Sequence, residues 1–134
     1  MTDELLLQKA EEARSLSYCP YSGMAVGAAL LTKSGKVYLG ANIENAAFTP
    51  TVCAERTAIF RALLDGEHEF SKIAISGGKA GEHVESSFPP CGVCRQVLSE
   101  FCAPELEILL SGDTPRKYTL GELLPASFTK KNMD

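Results

Sequence analysis

The segment TVCAERTA (residues 51–58) sets a thiol, Cys53, two positions before a carboxylate, Glu55, and three before a guanidinium, Arg56, where the chain is about to enter a helix. A second segment, PPCGVCRQ (residues 89–96), carries Cys91 and Cys94. Three positions apart on the first turn of a helix, their thiols lie on one side and can share a metal ion. With Cys53 they make three sulfur ligands. Three protein ligands with a fourth position open is the arrangement of a catalytic zinc, whereas a closed four-ligand site is structural. An acid beside the metal that does not ligate it has work only in the first case, where it takes a proton from water and hands it to a substrate. Glu55 fits that task. Cys102 falls eight residues beyond Cys94 on the same predicted helix, roughly 12 Å along the axis at about 1.5 Å per residue, too far to join. Cys19, in a predicted loop, stays open as a fourth ligand, and with it a structural zinc module or partner-binding protein.

Three thiolates exceed the charge of one zinc ion, and an over-negative site acidifies water poorly. Helices that begin near Cys53 and near Cys91 would aim two positive ends at the sulfurs and favour their ionised form. Arg56 and Arg95, each next to the motifs, are candidates to donate hydrogen bonds to sulfur and so tune the metal.

These residues need a scaffold, and the composition bounds it. A chain of 134 residues with 45% hydrophobic and 22% charged residues fits one domain with a real core, read here as residues 1–134. A net charge of −4 and a pI near 5.2 argue against a nucleic-acid partner, which calls for a basic stripe. The start, MTDELLLQKAEEARS, has neither the basic residues nor the apolar run of a secretory signal. No stretch approaches the ~18 apolar residues of a membrane span. A cytoplasmic location is expected. Five cysteines in such a chain point to metal binding or catalysis before disulfides.

The pattern of apolar residues predicts the elements. Thr2 caps a first helix with Leu6, Ala10 and Ala13 on one face, ending near Cys19 because Pro20 disfavours helix before it. VGAALLTKSGKVYLGANIE reads as two strands joined at Ser34-Gly35. Val52 to Asp65 reads as a helix stopped by Gly66, SKIAISG as a strand, and GGKAGEHVESSFPP as a loop. Cys91 to about Cys102 is a third helix, LEILLS another strand, and Thr119 with Glu122 a capping box for a last short helix. The class is α/β, with layers of helix on a sheet. At the end of the second strand Asn42 and Glu44 alternate with Ile43, which places both polar residues on one pocket and Ile43 toward the core. A carboxylate there disfavours a phosphate.

CAE paired with PCGVCRQ resembles the zinc-dependent nucleobase and nucleoside deaminases. YCPYSGMAVGAALLTKSGKVYLGANIENAAF, TVCAERTAIFRAL, PPCGVCRQVLSEF and LGELLPASF together are similar to the small homotetrameric cytidine deaminases over most of the chain. The resemblance implies a three-layer α/β/α fold with a mixed central sheet of about five strands. It implies one Zn2+ per chain on Cys53, Cys91 and Cys94, with Glu55 as proton shuttle in the hydrolysis of cytidine to uridine and ammonia, a step of pyrimidine salvage. It places Asn42 and Glu44 on the sugar hydroxyls of a small nucleoside, the Ala54 backbone on the polar edge of the base, and Phe128 in a neighbouring subunit's site. Met24 and Phe48 stand where the family commonly has phenylalanine and tyrosine, so Met24 becomes a candidate wall of the substrate pocket. Enzymes that deaminate blasticidin S share the metal motifs; the hydroxyl-binding pair favours a ribose.

Overall fold

The computed structural model describes residues 1–134. Five strands form one mixed sheet: β1 (Met24–Thr32), β2 (Val37–Ala41), β3 (Phe70–Lys79), β4 (Glu107–Leu110) and β5 (Arg116–Thr119), in the order β2-β1-β3-β4-β5. Only the β3–β4 pair is parallel. The β1–β2 connection is the Ser34-Gly35 turn read from the sequence, with Gly35 at φ +95°.

Period-two alternation divides the core between the two faces. Ala29, Ala74 and Leu109 point to one side and are covered by Leu6 and Ala10 of α1 (Asp3–Ala13). Val26, Ala28, Leu30, Ile73, Ile75, Ile108 and Leu110 point to the other. There α2 (Ala54–Leu64), α3 (Gly92–Phe101) and the one-turn α4 (Leu120–Leu123) cover them with Ala58, Ile59, Leu98 and Leu120. The result is the expected three layers, with α2 and α3 on the same face. Two glycines set how closely the helices lie. A Cβ on Gly27 would fall 2.1 Å from the Ala10 carbonyl oxygen of α1, and one on Gly40 would fall 2.3 Å from that of Ala54 in α2.

Capping follows the sequence. Thr2 accepts from Leu5 N–H at the start of α1, and Thr119 and Glu122 complete a capping box before α4. Gly66 at φ +87° follows the end of α2.

Three expectations need correction. The first helix stops at Ala13, with a 3-10 turn over Arg14–Leu16, short of Cys19. The chain leaves the helix because Tyr18 pairs with the segment after β2, its N–H donating to Asn42 O and its carbonyl accepting from Glu44 N–H. β3 runs on past the predicted strand through Gly78 and Lys79, read as loop from composition, because β1 offers pairing partners as far as Met24. Ile43 is 51% exposed instead of core-facing. β2 has ended at Ala41, and Ile43 makes only isolated bridges to Tyr18 and Val52, so the alternation holds while the sheet beneath it does not continue. No helix is long and apolar enough to cross a membrane.

Candidate metal centre and active site

Cys53 is the N-cap of α2 and Cys91 the N-cap of α3. Because both helices cover one face of the sheet, their N-termini converge. The sulfurs of Cys53, Cys91 and Cys94 lie within 4.8 Å of one another, and those of Cys53 and Cys91 are 3.8 Å apart. A tetrahedral zinc with Zn–S bonds of about 2.3 Å separates its sulfurs by about 3.8 Å, so the donor type and the spacing fit that ion. The Cys91 sulfur also accepts from Cys94 N–H at the first turn of α3. Cys19 is not part of this cluster. It lines a separate cavity with Arg14, Ser15 and Glu82, which removes it as a fourth ligand and with it the closed structural zinc.

The thiols are unequal. Cys53 is pulled down to about 5, first by the hydrogen bond from Cys94, against burial, and then by Arg56. Arg56 Nη2 donates to Cys53 Sγ at 3.3 Å, the sulfur contact expected of it. Cys94, fully buried, is pushed up as the partner that keeps its proton and by burial. Arg95 does not make the contact expected of it. Its Nε donates to Pro90 O at 2.8 Å and its Nη1 to Leu123 O at 2.6 Å, tying the approach to α3 to the end of α4.

Glu55, in the first turn of α2, is only 4% exposed. Burial pushes its carboxyl up to about 7, opposed by a hydrogen bond from its own backbone N–H and helped by the charge of Cys53. An acid poised near neutrality can both accept and return a proton. Glu55, Cys53 and Cys91 line a cavity of about 290 Å³ that also meets Met24, Asn42 and Glu44. No lysine or arginine lines it. The chain thus brings the acid, two of the sulfurs, the Asn42/Glu44 pair and Met24 to one pocket.

Comparisons with known proteins bear on this arrangement. The sequence pattern described as the cytidine and deoxycytidylate deaminase zinc-binding region matches residues 1–110. A cytidine deaminase from Halalkalibacterium halodurans is 42% identical over 137 aligned positions, covering 100% of this chain and 99% of that one. The crystal structure of cytidine deaminase from Burkholderia pseudomallei superposes with a TM-score of 0.87 at 44% identity, covering 96% of this chain and 100% of that one. A blasticidin-S deaminase from Bacillus cereus is 34% identical over 78% of this chain and 77% of its own length.

This chain belongs to the cytidine and deoxycytidylate deaminase family.

As a member of that zinc-binding family it has, in Cys53, Cys91 and Cys94, a place for one Zn2+ per chain. The other residues that the sequence marks as candidates sit as follows. Asn42 is nearly buried and heavily engaged: Oδ1 accepts from Val26 N–H at 2.9 Å and Ser17 Oγ–H at 2.5 Å, and Nδ2 donates to Met24 O at 2.8 Å. Glu44 accepts from the N–H groups of Tyr21 and Ser22 and from the Ser22 hydroxyl. These bonds, the hydroxyl first, hold its carboxyl below the ordinary glutamate value. Ala54 is fully buried as the first residue of α2, where its N–H has no acceptor within the helix. Phe128 is 61% exposed and lies outside the cavity of its own chain. Its carbonyl is held by Gln96 Nε2 of α3 at 2.9 Å. Sequence reading missed Ser22, Val26, Thr51, Phe88 and Pro89, which complete the cavity wall. The Pro89 ring precedes the motif it walls, but nothing in the spacing of Ser22 or Phe88 marks them.

Proposed function

We propose that this chain catalyses hydrolytic deamination of cytidine and 2′-deoxycytidine to uridine and 2′-deoxyuridine with release of ammonia, as a cytoplasmic enzyme of pyrimidine salvage. The observation that carries the reading is one cavity that joins a buried, near-neutral acid and two of the three clustered sulfurs to the Asn42/Glu44 pair, with no cation to attract a phosphate. Full-length relatives named cytidine deaminase support the same substrate.

Zinc held by Cys53, Cys91 and Cys94 supplies the Lewis acid that makes water a nucleophile at neutral pH. The chain's own residues do the rest. Glu55 takes a proton from the attacking water and delivers it to N3 of the cytosine ring as C4 is attacked. It then moves the second proton to the departing amino group, so water and cytidine become uridine and ammonia. Arg56 holds the Cys53 thiolate and lowers the electron donation of that sulfur. The free N–H of Ala54 meets the polar edge of the base, and Met24 packs against the nucleoside. Glu44 accepts from a sugar hydroxyl while Asn42 turns its one uncommitted N–H to the sugar. Residues 1–134 act as one deaminase domain. Exposed Ile43 and Phe128 fit a homotetramer in which Phe128 of one subunit closes the base side of a neighbour's site.

The test is the ultraviolet absorbance of cytidine followed over time with the wild-type protein and with Glu55→Gln. Loss of the acid is expected to slow turnover by about 10²–10⁴-fold while zinc content stays at one per chain. Zinc-loaded wild-type protein that leaves cytidine intact but deaminates blasticidin S would replace the substrate assignment.

A further inference from the structure

The segment Ser17–Ser22 runs beside Asn42-Ile43-Glu44 and is fixed there by the two backbone bonds of Tyr18. Its two ends carry hydroxyls, and each hydroxyl engages one of the two polar residues of that strip. Ser17 Oγ donates to Asn42 Oδ1 at 2.5 Å. With Val26 N–H on the same oxygen and Met24 O on Nδ2, the amide cannot turn over without breaking three bonds. Ser22 Oγ accepts Met24 N–H at 3.0 Å, which directs its own proton onto Glu44 Oε2 at 2.5 Å. The N–H groups of Tyr21 and Ser22, each 3.0 Å away, occupy Oε1. A carboxylate offers about four lone-pair positions, so three are filled and a single one on Oε2 stays open to the cavity.

We infer that Ser22, supported by Ser17, is a positioning residue for sugar recognition: it holds the Glu44 carboxylate so that its one open lone pair meets a sugar hydroxyl of the substrate. The inference rests on the nucleoside reading above and goes beyond it in assigning the residues that orient the sugar-binding pair. The hydrogen bonds of Ser22 go to Glu44 and Met24 and none to the sulfurs or Glu55, so its work is on binding and not on the chemical step. It also lies at the surface of the chain, where loss of its hydroxyl leaves no core cavity.

Steady-state kinetics of full-length, zinc-loaded protein separate this role from a merely structural one. The substrates are cytidine and 2′,3′-dideoxycytidine, which has the same base but no hydroxyl at 2′ or 3′. In Ser22→Ala the two backbone donors still hold Oε1, so the loss is partial: KM for cytidine is expected to rise about 10-fold, with kcat within about twofold. Values for dideoxycytidine should stay at those of the wild type. Ser22→Thr, which keeps the hydroxyl, should restore most of the cytidine KM. On a Glu44→Gln background, Ser22→Ala should add much less than it does alone. Equal losses on both nucleosides, or a threonine variant as impaired as alanine, would overturn the assignment while leaving the deaminase reading intact. A wild type that turns over cytidine and dideoxycytidine with equal KM would remove the sugar role of Glu44 and the positioning role of Ser22 together. A wild type that deaminates neither would show that the substrate reading itself had failed.

Discussion

Gly40→Ala should loosen the metal centre from a distance. The glycine lies on β2 directly beneath α2, where a Cβ would fall 2.3 Å from Ala54 O, 2.5 Å from Ala58 N and 2.6 Å from Thr57 Oγ1. Two of these atoms are backbone, so no side-chain rotation relieves the clash. Ordinary contact begins near 3.4 Å, so the start of α2 must lift by about 1 Å. Such overpacking costs about 1–3 kcal/mol, or roughly 4–12 °C in Tm for a chain of this size. The lift also strains the bonds by which Thr57 Oγ1 anchors the helix to Ala41. Cys53 and Glu55 ride on that first turn, while Cys91 stays on α3. A 1 Å displacement therefore opens the 3.8 Å separation of the Cys53 and Cys91 sulfurs beyond what a tetrahedral zinc accepts. A misplacement of that size costs on the order of 10²-fold in rate. The control is Gly92→Ala, between Cys91 and Cys94, where an added Cβ meets nothing within 4 Å and alanine favours the helix. Thermal melts, zinc content per chain and kcat/KM for cytidine should all fall in the first variant and hold in the second. A Gly40→Ala protein with wild-type melting, zinc and turnover would refute the close approach of α2 as the device that sets the site.

Two further predictions concern parts of the chain outside the cavity. Lys72 of β3 reaches Asp3 at 2.7 Å and Glu107 of β4 at 3.3 Å, and Lys117 of β5 lies 3.2 and 3.1 Å from the same two acids. Lys72 leads in holding Asp3 below its ordinary value, and Lys117 in holding Glu107. A carboxyl lowered on folding contributes stability above its unfolded value and loses it as pH falls through the folded one. Lys72→Met should therefore cost about 1 kcal/mol at pH 7, with the gap to wild type closing as pH falls below the ordinary carboxylate range and through the lowered folded values; equal urea midpoints at pH 7 would contradict it. Burial pushes the Cys102 thiol up to about 12, and thiol reactivity follows the thiolate. Iodoacetamide at pH 8 on native, zinc-loaded protein should label Cys19 faster than Cys102, which is half-buried like Cys19 but packs against the core, and mass spectrometry finding both labelled at one rate would refute the protection of Cys102.

Much of the site was legible because it is written in helix starts. Cys53, Glu55, Cys91 and Cys94 sit at N-caps and first turns, and a cap is a local event with its own residue preferences. The helices and the first hairpin were legible for the same reason, periodicity plus a stop. β5 escaped because Arg116-Lys117-Tyr118-Thr119 has no apolar alternation. It is an edge strand with little face to bury, held to β4 and by the Lys117 ion pairs. Arg95 was misjudged because adjacency to a motif says nothing about direction. On α3 its guanidinium points to the carbonyls of Pro90 and Leu123, and Arg56 alone turns to sulfur. Ser17 and Ser22 were invisible because a hydroxyl that bonds a residue more than twenty positions away leaves no trace in spacing.

The layering explains why the chemistry gathers where it does. α2 follows the β2 edge and α3 follows β3, yet both cover the face carrying Val26, Leu30 and Ile75, so their N-termini meet over one patch of the sheet. Each helix brings a cysteine at its cap and a positive end at the sulfur. Excess thiolate charge is thereby met by backbone dipoles and by Arg56, without a cation in the substrate cavity. Glu55 can be buried beside that charge because its own backbone N–H partly offsets the cost. The same geometry leaves the opposite wall to the strip after β2, which is held by loop hydroxyls instead of helix ends. The metal side is thus set by core packing and the Asn42/Glu44 side by hydrogen bonds from the adjoining loop. Substitutions should accordingly separate: those under α2 and α3 alter zinc content and kcat, and those along Ser17–Ser22 alter KM and the choice of nucleoside.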